Sequence, residues 1–155
     1  MLSDRAIRLI AFVFAILFAI VVVLGYLPGI NAPIHQHHGG GMQPGGMQPG
    51  EHLLMGRYAI SLIDDVTHGV TALVLLVAAL ASARYSRLAL IAFGWYYACD
   101  AVFYLVNGAL THQPVMANVL LNLPHVVISS IILGLAYWGR ADVPRSSLSA
   151  ATAAS

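Results

Sequence analysis

The sequence predicts an all-α integral membrane protein, a four-helix bundle with both termini in the cytoplasm, and three observations carry that reading. Of 155 residues, 59% are hydrophobic and 8% charged, too apolar for a water-soluble domain. The apolar residues gather into four runs, each long enough to cross a hydrocarbon core of about 30 Å. There is no lysine, and six of the seven arginines stand at alternating run ends: Arg5 and Arg8, Arg84 and Arg87, Arg140 and Arg145. The positive-inside bias places those three ends in the cytoplasm, with Arg57 the exception. The net charge of +1 thus reports topology and gives no case for a nucleic-acid partner.

Residues 1–5 form a short cytoplasmic N-terminus. The first span, 6–27, runs from Leu9 to Leu24 without a polar residue. It resembles a signal peptide, but no A-x-A site follows, and Pro33 is a poor residue after a cut, so an uncleaved signal anchor is expected. Residues 28–52 form an outward-facing loop rich in His, Met, Gly and Pro. The second span is placed at 53–83, beginning at Leu53 or Tyr58. A cytoplasmic loop at 84–87 leads to the third span, 88–107. The outer loop 108–114 then joins it to the fourth, 115–138, and 139–155 is expected to be a disordered cytoplasmic tail. All spans must be helical, because an open sheet leaves backbone groups unsatisfied in lipid. Tyr26, Tyr58, Tyr137 and Trp138 fall near the interfaces, where amphipathic rings anchor. The lone Cys99 excludes intramolecular disulfides and C-x-x-C chemistry.

The last three spans interrupt their apolar runs with ionisable residues at matching depth. Counted from the arginine-flanked ends, His68 is 15 positions from Ala83, Asp100 is 12 from Leu88 and His125 is 13 from Trp138. At 1.5 Å per residue these are heights of roughly 18 to 23 Å. Ionisable groups cost about 2.5 kcal/mol or more there, so they face the bundle interior and often mark function. Each belongs to a polar stripe of helical period. The second span carries Ser61, Asp64 or Asp65, His68 and Thr71. The third carries Tyr97, Asp100, Tyr104 and Asn107, and the fourth Asn118, Asn122, His125 and Ser129. The first span has nothing comparable and is expected to pack peripherally against lipid. Pro124, just before His125, takes the usual donor away from the Leu120 carbonyl.

Two ligand sets follow. Asp64 and His68 share a helical face at i, i+4, and Asp65 lies three before the same histidine. With Asp100 and His125 they make a buried set, supported by Asn118, Asn122, Tyr104 and Ser129, that suits copper, zinc or iron. The outer loop offers His35, His37, His38 and His52 with Met42, Met47 and Met55. The first three run into glycines and then Gly-Met-Gln-Pro-Gly, written twice at 41–45 and 46–50. Such a stretch forms no packed core. Imidazole suits Cu(II) and thioether suits Cu(I), so copper is the expected cofactor, captured by the arm and received by the polar interior. A haem b held by His68 and His125 is another reading of the same histidines. A third is a hydrogen-bonded network that sets helix packing in an accessory subunit of a larger membrane complex. No enzymatic reaction follows from the pattern.

The plan of Asp65-Val-Thr-His68-Gly in one span, and Asn122-Leu-Pro-His125 followed by Ile132-Leu-Gly134 in another, resembles small four-span bacterial membrane proteins of uncharacterised function. The likeness covers spans two to four. It implies a multi-pass bundle in the bacterial inner membrane and assigns no chemistry.

Overall fold

The computed structural model describes residues 2–27, 31–32, 52–54 and 58–138. Within them lie four helices, each long and apolar enough to cross a membrane: α1 (Asp4–Tyr26), α2 (Leu62–Ala81), α3 (Ala83–Leu110) and α4 (Val115–Trp138). A small antiparallel sheet joins α1 to α2, with strand order β1 (Asn31–Ala32), β2 (His52–Leu54), β3 (Tyr58–Ile60). Its register pairs Leu53 with both Ala32 and Ala59.

Hydroxyl caps decide where the helices begin. Ser3 accepts from the Ala6 N–H at 3.2 Å and starts α1. Ser61 starts α2 through a capping box, its hydroxyl accepting from the Asp64 N–H while the Asp64 carboxylate accepts from the Ser61 N–H. That box corrects the expected start of the second span at 53: residues 52–54 and 58–60 pair as strands, and helix begins only where Ser61 and Asp64 satisfy the first-turn donors. Ser82 ends α2 and at once caps α3 by accepting from the Tyr85 N–H. Arg84 and Arg87 therefore lie in the first turns of α3, where the sequence alone indicates a loop at 84–87. A single extended residue suffices to reverse the chain because Ser86 bonds back to the Ala78 and Ser82 carbonyls.

The two ends of the bundle differ. At the end carrying Arg8 and Arg84, small and apolar residues close the interior: Ile7 and Ala11 of α1, Leu75, Ala78 and Ala79 of α2, Ala89 and Leu90 of α3, and Ile132 and Ala136 of α4. Small residues let helix backbones approach, which is how apolar helices gain packing where no water drives them together. Gly94 shows the same effect, since a Cβ there would stand 2.8 Å from the Leu133 side chain. Arg8 binds this end by donating from Nε to the Ala79 carbonyl at 2.7 Å and from Nη2 to that of Leu80 at 3.1 Å. Those carbonyls belong to the last turn of α2, where helical partners run out. The outward faces of all four helices are apolar, with Leu9, Leu73, Val77, Phe103 and Leu120 among the exposed residues. A continuous apolar exterior of this kind marks a surface for lipid or protein.

At the opposite end the helices part. The α3–α4 turn is held by a Gln113 N–H to Gly108 carbonyl bond of 2.9 Å and by His112 in the left-handed region, φ 58°. Gly108 admits the Asn118 side chain, which a Cβ would overlap. Asn118 Nδ2 then donates to the Leu105 carbonyl at 2.9 Å, fastening α4 to α3.

Candidate functional site

A cavity of about 440 Å³ occupies the parted half of the bundle. Eight residues of the three polar stripes line it: Asp64 and His68 from α2, Tyr97, Tyr104 and Asn107 from α3, and Asn118, Asn122 and His125 from α4. The opposite wall is apolar and comes chiefly from α1, through Phe14, Leu17, Phe18 and Val21. The expectation that α1 is peripheral is therefore corrected. A helix without polar residues supplies the apolar side of an amphipathic cavity, and its Ala11, Ala15 and Phe18 are buried against its neighbours.

The site centres on four rings. Tyr97, 2% exposed, stacks on Phe18 at 5.1 Å, on His68 at 6.0 Å and on His125 at 5.8 Å, with interplanar angles of 9°, 20° and 11°. Phe18 and His68 are also stacked, at 5.8 Å. Thr71 fixes the tyrosine from below. Its hydroxyl donates its single proton to the Thr67 carbonyl at 2.8 Å, so in the 3.2 Å contact with the Tyr97 hydroxyl the tyrosine is the donor. Both imidazoles thus pack against one buried ring that is locked by a neighbouring helix. Sequence reasoning includes Tyr97 in its stripe and assigns it no role, and it misses Phe18. The available signal is the i, i+4 pair Phe14 and Phe18 on a helix whose buried residues besides Phe18 are Ile7, Ala11, Ala15 and Gly25.

The ionisable residues separate into distinct settings. His125 Nε2 lies 3.8 Å from Asp100 Oδ2, with both side chains about three-tenths exposed, at 30% and 27%. That distance is too long for a hydrogen bond and leaves room for something shared between the two. Asp64 lines the cavity, but its Oδ2 accepts from the Ser61 N–H at 2.9 Å and from the Ser61 hydroxyl at 2.8 Å. Asp65 turns elsewhere: it is buried and accepts from the Tyr26 hydroxyl at 2.9 Å, tying the end of α1 to the start of α2. Tyr26 is thus a cross-link as well as a ring near the expected interface. His68 stays on the cavity wall, and its Nδ1, directed back along the helix toward Asp64, is enclosed and completes no hydrogen bond of good geometry.

The supporting polar residues form the rest of the wall. Asn122 Nδ2 donates to the backbone carbonyl of Asn118 at 2.8 Å and to its side-chain oxygen at 3.0 Å, so the two amides present one ordered edge. Ser129 is buried below the cavity and bonds to the Val126 carbonyl at 3.1 Å. Tyr104 reaches the cavity from the C-terminal half of α3. Among the described residues, no three His, Cys, Asp or Glu side chains come together as an ion-holding group. His35, His37, His38, Met42, Met47 and Met55 lie outside the described residues, and of His52 only the backbone, in β2, is described.

Comparison with protein-family models, with curated proteins and with solved structures returns no match to this chain. The functional reading rests on the cavity itself.

Proposed function

We propose that this chain is a multi-pass protein of the bacterial inner membrane whose bundle holds a small ligand in a cavity open toward the outer face. The supporting observation is the cavity of about 440 Å³ on which three polar stripes and one apolar helix converge. Concave sites of that size, mostly apolar with a few polar groups, are where small ligands bind. The stripes carry a cost in lipid that packing alone offsets poorly, and a bound partner for His68 and His125 would offset it. The ligand sets its polar group against His125 and the Asn118–Asn122 edge. Its apolar part lies along Phe14, Leu17 and Phe18. Binding and release, with no enzymatic step, account for this arrangement.

A transition-metal ion, copper first and zinc or iron next, is the second reading, and the His125–Asp100 spacing favours it. Two ligand atoms 3.8 Å apart can each reach one ion at about 2.0–2.2 Å, subtending an angle of roughly 130°. Remaining positions would be filled by water or by ligands of the His/Met arm, which delivers the ion. A haem b held by His68 and His125 would instead give a Soret band.

The deciding experiment uses protein purified in mild detergent without a histidine tag, analysed for metal content, absorption spectrum and solvent-extractable organic molecules. Stoichiometric organic ligand supports the cavity reading. Stoichiometric copper that survives deletion of residues 35–50 and is lost in His125→Ala supports the metal reading. Folded protein that carries neither would sink both and leave the polar wall as a packing network in an accessory subunit.

A further inference from the structure

A second cavity lies at the other end of the bundle, outside the site just described. It is a shallow groove of about 270 Å³ between α1 and α2, lined by Arg5, Arg8, Leu9, Phe12, Ala79 and Leu80. Two cations border it, and none of these lining residues is acidic. The remainder is apolar and faces outward: Leu9 and Leu80 are 62% and 66% exposed. In the topology proposed above this groove stands at the cytoplasmic headgroup level, open sideways to lipid.

We infer that the groove is a binding site for one anionic phospholipid of the inner leaflet, its phosphate held by Arg5 and Arg8 and its first acyl segment lying along Leu9, Phe12 and Leu80. The Arg8 guanidinium is already oriented, because Nε and Nη2 donate to the Ala79 and Leu80 carbonyls. Three of its five N–H donors remain for a phosphate. A planar fork held in place loses little freedom on binding an oxyanion, which makes Arg8 a better phosphate ligand than a freely rotating cation. Arg5 stands one turn earlier on the same face and supplies the second charge. Anionic headgroups are the negative species at that surface, and the apolar half of the groove matches an acyl chain, which a free phosphate would leave empty.

The test is lipid selectivity in vesicles of phosphatidylcholine, read from spin-labelled phosphatidylglycerol against spin-labelled phosphatidylcholine on the full chain. The wild type is expected to prefer phosphatidylglycerol. Arg5→Gln is expected to lower that preference about five-fold, the worth of one arginine near a charged surface. Arg84→Gln, which removes an exposed charge at the same end but outside the groove, is expected to leave it unchanged. Arg5 makes no cap, and unchanged helical circular dichroism would show that the variant is folded. Equal losses in the two variants would overturn the groove in favour of diffuse surface charge. Displacement of the labelled lipid by excess inorganic phosphate would overturn the lipid assignment in favour of a free-anion site.

Discussion

Tyr97 decides the shape of the site more than either histidine. Its ring meets Phe18, His68 and His125, and its hydroxyl donates to Thr71. Tyr97→Phe keeps the stacking and loses one interhelical bond, so it should cost only about 0.6 kcal/mol in denaturant titration from mixed micelles and leave ligand content unchanged. Tyr97→Ala should abolish ligand retention, because both imidazoles lose the surface that orients them. Gly108 poses the opposite problem. A Cβ there would overlap the Asn118 side chain, so Gly108→Ala should force that amide away from the Leu105 carbonyl. Overpacking of this kind costs about 1–3 kcal/mol, and the same titration would show it. A substitution as mild as Ser130→Ala is the control, since Ser130 is exposed and, among the described residues, donates to the Val126 carbonyl of its own helix.

At the scale of elements, α1 and the start of α2 show what the sequence can and cannot reveal. The four apolar runs and their arginine ends are legible because span length and charge bias are one-dimensional properties. The polar stripes are legible for the same reason, since helical period alone puts Asn118, Asn122 and His125 on one face. Two things are not. Whether an all-apolar helix covers lipid or walls a cavity depends on its neighbours, and periodicity cannot place Phe14 and Phe18 opposite His68 and Tyr97. The onset of α2 also escapes, because Leu53 to Ile60 is apolar apart from Gly56 and Arg57, and strand pairing is what separates it from the helix. The cap that sets this onset yields a prediction: Ser61→Ala should cost about 1 kcal/mol and fray the first turn of α2, measurable as faster amide exchange at residues 62–64. Because the Asp64 carboxylate then loses the Ser61 hydroxyl, ligand affinity should change as well, whereas the Ser3→Ala cap variant of α1 should lose stability alone.

For the whole molecule, the division of labour runs along the bundle axis. One half is closed by alanine, leucine and isoleucine and fastened by Arg8, and the other half parts around a wall of amides, imidazoles and tyrosines. Such a polarity suits uptake of a ligand from one side without passage through, because among the described residues the packed half holds, beyond Asp100, only Asp4 as an acidic or histidine group, and Asp4 is exposed at the start of α1. The ionisable residues that the sequence groups into a single buried set are divided by the fold: His125 with Asp100, His68 on Tyr97, Asp64 on its cap and Asp65 on Tyr26. Sequence spacing puts Asp64, His68 and His125 on faces that line the cavity, but it cannot tell that Asp65 and Asp100 lie outside that lining or that capping and cross-linking claim two of the three carboxylates. The most direct test of the cavity claim is the native mass spectrum of the tag-free protein drawn from its own membranes, wild type against His125→Ala. A one-to-one non-protein mass that the wild type keeps and the folded variant loses is the predicted result; a bare wild-type polypeptide, or an adduct that the variant retains, would contradict it.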